Sequence, residues 1–123
     1  MSYIGRIDTV RQKVIRLTPT ITGVQYANND ILFDTAEMVN AVESPGGASK
    51  LVNVSLWTKS NDVFDIELLF FQVDQSMGTV NAGRNVSDAD WATAKYLGHL
   101  VLNCSEEDYN YGGGRILLRR HFP

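Results

Sequence analysis

Two stretches of alternating apolar and polar residues constrain this chain more than any other feature. Residues 51–58 read LVNVSLWT and residues 64–71 read FDIELLFF, so alternate side chains share a side in each. This period of two predicts half-buried β-strands. The polar residues 59–62 lie between them, which predicts an antiparallel hairpin. The side chains expected to be buried together are Val52, Val54, Leu56, Ile66, Leu68 and Phe70.

Shorter apolar runs bounded by turn residues predict further strands. Asn28-Asn29-Asp30 and Ser44-Pro45-Gly46-Gly47 are turn or loop signals. The capping pattern at Ser87-Asp88-Ala89-Asp90 predicts one short helix over 88–95, and 105–108 is a candidate further turn. The predicted fold class is all-β, a jelly-roll or Greek-key-like β-sandwich of about seven to eight strands with one short helix. The additional strands are expected at 14–22, 31–33, 35–42, 96–102 and 115–122, with one helical turn as the alternative for 35–42.

The 64–71 strand becomes apolar on both sides at its end, where Leu69, Phe71 and Val73 follow one another on the outward side. Two explanations are open. The 88–95 helix folds over this end through Trp91, or this end of the strand is a subunit interface.

The size of the chain predicts a single domain. It has 123 residues, 44% of them hydrophobic and 20% charged, which suffices for one core. We expect one domain over 1–123, with residues 1–10 as a candidate extended N-terminal arm. No apolar run reaches the roughly 18 residues of a membrane span, and the first residues lack the pattern of a secretory signal.

The charge is distributed unevenly. Residues 1–17 carry a net charge of +3, residues 115–123 another +3, and residues 18–114 a net −9. The sequence pI near 5.2 argues against a nucleic-acid partner. Two interpretations of the basic ends are open: they are solvated strand edges, or they dock on an acidic partner. If the first and last strands are neighbours in a sheet, these ends form one basic face.

No set of residues predicts catalysis or metal binding. His99 and Cys104 would lie roughly 16 Å apart on an extended strand, beyond the reach of a catalytic dyad. Cys104 is expected to be a small buried side chain without function. The carboxylates of 88–90 lack the spacing of a calcium loop. We therefore expect no enzyme, no cofactor and no metal site.

The order of several short motifs resembles a group of small virion structural proteins of tailed bacteriophages. Two departures from their pattern are Asn29, where glycine is more usual before the aspartate, and Gln72-Val73-Asp74, which lacks the common proline. The motifs that carry the resemblance are Tyr26-Ala27-Asn28-Asn29-Asp30, Asn40-Ala41-Val42, Gly46-Gly47-Ala48, Ile66-Glu67-Leu68-Leu69-Phe70, Asp88-Ala89-Asp90, Tyr96-Leu97-Gly98 and Asp108-Tyr109 with the glycines that follow.

The resemblance implies a structural role in a virion. The expected function is that of a capsid decoration or cement protein, which is made in the host cytoplasm and binds the major capsid protein on the head surface. We expect a homo-oligomer, with a trimer favoured, and neither nucleic acid nor membrane as a partner. The alternatives are a tail, neck or adaptor protein, and a carbohydrate-binding module. The aromatics that could serve a sugar are Tyr3, Tyr26, Trp57, Tyr109 and Tyr111.

The predicted partner interface combines the basic ends with nearby apolar residues. Arginine suits such a surface because its planar fork can hold a carboxylate with two hydrogen bonds. The candidate interface residues are Tyr3, Ile4, Arg6, Arg11, Lys13, Arg16, Arg115, Arg119, Arg120 and Phe122.

Overall fold

The computed structural model describes residues 12–120, apart from the side chains of Glu107 and Arg120. This part of the chain is broadly all-β and holds five strands in two antiparallel sheets, with two short helices. The elements in chain order are β1 (Asn53–Thr58), β2 (Ile66–Phe71), α1 (Asp88–Ala94), β3 (Tyr96–Leu102), α2 (Cys104–Glu107), β4 (Asp108–Asn110) and β5 (Arg115–Arg120).

β5 is the central strand of a three-stranded sheet in the order β1–β5–β4. Leu56 of β1 lies opposite Leu117 of β5, and Leu117 lies opposite Asp108 of β4. Leu117 is fully buried, so this row marks the side of the sheet that faces the core. The opposite side of the same sheet is called the outer face below.

β2 and β3 form the second sheet. Ile66 lies opposite Leu102, and Leu68 lies opposite Leu100. The register shifts between Phe70 and Phe71, where β2 approaches the C-terminal end of α1.

Both sheets contribute to one small core. Its fully buried members are Leu102, Cys104 and Leu117, which come from β3, α2 and β5. Burial of Cys104 confirms its prediction as a buried small side chain. The partly buried residues packed against this core are Val54, Leu56, Phe64, Leu68 and Leu100.

The predicted hairpin between 51–58 and 64–71 is wrong, because β1 pairs with β5 and β2 pairs with β3. The connecting residues are fastened to the β4–β5 turn instead. Asn61 donates from Nδ2 to the carbonyl of Gly112 at 3.1 Å and accepts from Arg115 Nε at 2.9 Å. Of the side chains predicted to be buried together, Ile66 is buried and Val52 is 51% exposed, and the other four are half-buried: Val54, Leu56, Leu68 and Phe70.

Three predicted strands, at 14–22, 31–33 and 35–42, are absent from the described residues. Apart from β1 to β5, strand pairing there is limited to an isolated bridge between Asp30 and Gly83. Residues 31–35 are held mainly by other contacts, with Ile31 bonded to Ala82 and Asn81 through the backbone and Asp34 accepting from the N–H of Met77. The strand count is therefore five in this part of the chain, below the predicted seven to eight.

The predicted helix is confirmed as α1. Ser87 caps it, since its Oγ accepts from the N–H of Asp90 at 3.1 Å. Trp91 packs against Phe71 with ring centroids 5.8 Å apart. The helix therefore covers the doubly apolar end of β2, as the first of the two explanations requires.

Candidate functional site

The outer face of the three-stranded sheet carries a row of large apolar side chains. Trp57 lies opposite Ile116, and Ile116 lies opposite Tyr109. Side chains directly opposite one another in an antiparallel pair lie on the same side of the sheet. Because the neighbouring row of Leu56, Leu117 and Asp108 faces the core, this row faces outward. It is called the outer row below.

The outer row is open to solvent at both ends. Trp57 is 73% exposed and Tyr109 is 68% exposed, while Ile116 between them is half-buried. The strands β1 and β4 are separated by β5, so the two aromatic residues stand about 10 Å apart, twice the strand spacing. Two exposed aromatic rings flanking an aliphatic side chain form an apolar surface that a partner could cover.

The turn between β4 and β5 fixes the position of Tyr109. The N–H of Tyr111 donates to the carbonyl of Gly114 at 3.2 Å, and Asn110 Oδ1 accepts from the N–H of Gly112 at 2.8 Å. Tyr111 Oη also donates to the carbonyl of Thr58 at 3.2 Å. This last bond ties the turn to the end of β1 and so holds both ends of the outer row in one frame.

The Arg115 side chain lies on the core-facing side of the same sheet, where it is bound by two partners. Its Nη1 forms an ion pair with Asp108 Oδ2, and its Nε donates to the carbonyl of Asn61. Both partners of the ion pair are largely buried, with 14% and 19% of their side chains exposed. Arg115 therefore joins β4, β5 and the 59–65 connection.

The other predicted interface residues are spread over the chain. Lys13 and Arg16 are exposed in a segment without regular structure, where Lys13 Nζ donates to the carbonyl of Asn40 at 3.4 Å. Arg119 is exposed on β5, opposite Val54. Arg120 ends β5, and its side chain is outside the described part. The predicted residues that lie outside the described residues altogether are Tyr3, Ile4, Arg6, Arg11 and Phe122.

The expected basic face, made by a first and a last strand side by side, stays a prediction, because Arg6 and Arg11 of the basic N-terminal end lie outside the described residues. Within residues 12–120, β5 has β1 along its whole length on one side, and on the other side β4 pairs only with 115–117. Lys13 and Arg16 lie in a segment that forms no strand. In the described part of the chain, Lys13 and Arg16 are therefore not brought into the sheet that holds β5.

The outer row was only partly visible in the sequence. Trp57 falls on the otherwise polar side of the 51–58 alternation, and a large aromatic residue at such a position is the signal of an exposed contact. The sequence singles out Tyr109 as an aromatic that could serve a sugar and as part of a resemblance motif, but not as part of an apolar surface. Ile116 gave no signal, because its neighbours in space come from strands distant in sequence.

A polar cluster around Asp34 joins two loops. Asp34 accepts hydrogen bonds from Ser76 Oγ and from the N–H groups of Met77 and Thr35. Burial acts to raise the pKa of the Asp34 carboxyl, but these hydrogen bonds outweigh it, so its pKa lies below the usual value. The ionised carboxylate is thus a structural clamp between residues 34–35 and 74–77.

The described part of the chain contains no group of three or more histidine, cysteine, aspartate or glutamate side chains placed to hold a metal ion. Across residues 12–120, neither helix has the length and apolar character needed to span a membrane.

Comparison with known proteins returned no matching family model, no matching curated protein and no matching solved structure.

Proposed function

We propose that this chain is a structural protein of a tailed-bacteriophage virion, a decoration or cement protein that binds the major capsid protein and stabilises the head. The order of motifs shared with small phage virion proteins supports the phage assignment. The outer row supports the binding role and is the observation on which the proposal depends most. Binding through such a surface needs no reacting group.

Some local geometry agrees with the motif resemblance. The Tyr26 to Asp30 motif forms a turn in which the N–H of Ala27 donates to Asp30 Oδ2 at 2.8 Å. Asn29 in this turn has φ of 69°, a left-handed conformation that glycine adopts freely and asparagine tolerates. The departure at Asn29 therefore preserves the turn that a glycine would make.

The proposed fold is a small β-sandwich. Its support is that Leu117 of one sheet and Leu102 of the other belong to the same buried cluster. We propose that copies of this domain form a homo-oligomer, a trimer, on the capsid surface.

The outer row suits a protein surface as its partner. Tryptophan and tyrosine are enriched among the residues that carry most of the energy of an interface. A standard interface buries about 800 Å² of each partner, which is more than three side chains cover. Docking must therefore include the rim of the sheet, with the row as its apolar centre.

A carbohydrate ligand is the second candidate, and the same row favours it. Two exposed aromatic rings about 10 Å apart on a flat sheet could stack against successive sugar rings of a glycan. Ile116 between the rings favours the protein partner, because an aliphatic side chain adds apolar area without a hydrogen bond for a sugar hydroxyl.

The proposal is tested by co-sedimentation with phage heads that lack the protein. Trp57→Ser and Tyr109→Ser should each weaken binding by about 2 kcal/mol or more, which is roughly 30-fold. Val63→Ser is the matched control, because Val63 is 69% exposed but lies outside the sheet. Unchanged binding by both row variants would contradict the proposal. Binding of the wild type to a glycan array in place of heads, lost in both row variants, would support the sugar alternative.

A further inference from the structure

A strand-forming segment near the start of the described chain has no strand partner. Residues 12–22 read QKVIRLTPTIT and are rich in β-branched side chains, which favour strands. Within residues 12–120, the backbone groups of 13–21 make no hydrogen bond. Val14 is 95% exposed and Ile21 is 56% exposed. The segment thus has the composition of a strand without a sheet.

Pro19 limits the part that can pair. Proline lacks an N–H donor and is confined to edges and ends of strands. The continuous pairing stretch is therefore Val14–Thr18. Its alternation places Ile15 and Leu17 on one side and Val14 and Arg16 on the other.

Among the sheet edges of the described chain, the edge of β1 is regular and unprotected. β1 is an edge strand, and in the described residues no backbone hydrogen bond is made on its side away from β5. Its six residues, NVSLWT, include no charge, proline or glycine, and its pairing with β5 has no bulge. Natural sheets usually protect such an edge by one of these devices, since an unprotected edge invites another strand.

The other edges are less suited. β4 has only three residues. β2 carries Glu67, which is paired with Arg84 at 3.3 Å. β3 is longer than β1 but carries Gly98, and the β2–β3 register shifts between Phe70 and Phe71, so the regular stretch of this sheet is five residues long, against six for β1. β1 is therefore the edge that an added strand would meet with the longest regular pairing.

We propose that residues Val14–Thr18 of one copy add as a strand to the β1 edge of a second copy. In the structure this segment lies elsewhere on its own chain, with Lys13 Nζ on the carbonyl of Asn40 and the N–H of Thr22 on Tyr26 Oη. Ile15 and Leu17 would continue the half-buried side formed by Val54 and Leu56.

Charge selects a second copy as the occupant. The segment brings the positive charges of Lys13 and Arg16, while a second copy carries a net charge of −3 over its whole sequence. A basic strand approaching the acidic body of another copy is attracted at long range. This interface deepens the homo-oligomer part of the proposed function by naming its contact.

The test measures association of the full chain in solution, without phage particles. Sedimentation velocity from about 1 to 200 µM should show wild-type association. Arg16→Pro should weaken it about tenfold or more, because it removes one ladder hydrogen bond. Thr20→Pro is the matched control beyond Pro19 and should associate like wild type, and Arg16→Gln separates loss of charge from loss of the N–H donor.

Amide hydrogen exchange identifies the receiving edge. Protection at 14–18 and at 53–58 should rise together with protein concentration and be lost in Arg16→Pro. The proposal is overturned by a wild-type monomer throughout the range, by association of Arg16→Pro equal to wild type, or by protection that does not depend on concentration. Such a failure leaves the head-binding result unaffected, so the two proposals are judged separately.

Discussion

The absence of a side chain at Gly114 allows the β4–β5 turn to lie close to the end of β1. A Cβ at this position would overlap the carbonyl oxygen of Thr58 and come within 2.6 Å of Tyr111 Oη and 3.0 Å of Lys59 Cα. The close approach lets the β4–β5 turn pack directly on the end of β1. The relative positions of Tyr109 and Trp57 therefore depend on Gly114, which is adjacent to neither residue in the sequence.

Gly114→Ala should lower the free energy of unfolding by on the order of 3 kcal/mol, because backbone atoms must move to admit the methyl group. Gly113→Ala is the control, since nothing lies within 4 Å of a Cβ there, and it should change stability by less than about 0.5 kcal/mol. Urea denaturation followed by tryptophan fluorescence measures both. Equal stability of the two variants would show that the turn is not packed as described.

The Asp34 clamp makes a pH-dependent contribution to stability. Its pKa is depressed in the folded protein, so the folded state favours the ionised form more than the unfolded state does. The stabilisation is fully present above the unfolded pKa of about 3.9 and is lost as the pH falls through the lower folded value.

Asp34→Asn should therefore destabilise the protein at pH 7 by on the order of 1 kcal/mol, with the deficit shrinking as the pH falls below about 4. Asp62→Asn is the control, because the Asp62 side chain makes no hydrogen bond within the described residues. Urea denaturation at pH 7 and pH 3 measures both. A deficit for Asp34→Asn that is the same at the two pH values would mean that the clamp does not depend on ionisation.

At the scale of elements, β5 organises the molecule. It is the only strand of its sheet with a neighbour on both sides in the described chain. Leu117 faces the core and Ile116 the outer face, so one strand supplies both the core and the centre of the candidate site.

Leu117→Ala should cost about 2–5 kcal/mol of unfolding free energy, because the side chain is fully buried and its removal leaves a cavity. Leu118→Ala, next along the strand and on the outer face, should cost less. Thermal and urea denaturation compare the two. A larger loss for Leu118→Ala would invert the assignment of the two faces of the sheet.

The sequence pattern predicted sides of strands better than partners of strands. Alternation correctly placed Val54, Leu56 and Leu68 toward the core, because the period of two is a local property. It could not reveal that β1 pairs with a strand about 60 residues away, since pairing depends on contacts between distant segments. The predicted hairpin depended on the closeness of 51–58 and 64–71 in the sequence. Asn61, which lies between them, bonds to Gly112 and Arg115 at the β4–β5 turn instead.

The candidate site was less predictable than the fold. The excess of arginine predicted an interface at the chain ends. Arg115, however, is largely buried in an ion pair with Asp108. The outer row is created by register between three strands, which no local motif encodes. Helix α1 was predictable because Ser87 and the acidic residues that follow it form a local capping signal.

At the scale of the whole molecule, two exposed features suit a protein made to be covered by others. One is the outer row, and the other is the unpaired segment with Val14 at 95% exposure. Both expose apolar surface to water, and burial of that surface by a partner lowers the free energy. A repeated shell would supply such partners many times over, with each contact weak and the total large.

The central claim, that this chain is a virion protein of the shell, is tested most directly by quantitative mass spectrometry of purified virus particles. The account predicts hundreds of copies of the chain per particle, in fixed ratio to the major capsid protein. About a dozen copies would instead place it in the neck or tail. Its absence from purified particles, together with its presence in the lysate from which they were prepared, would contradict the claim.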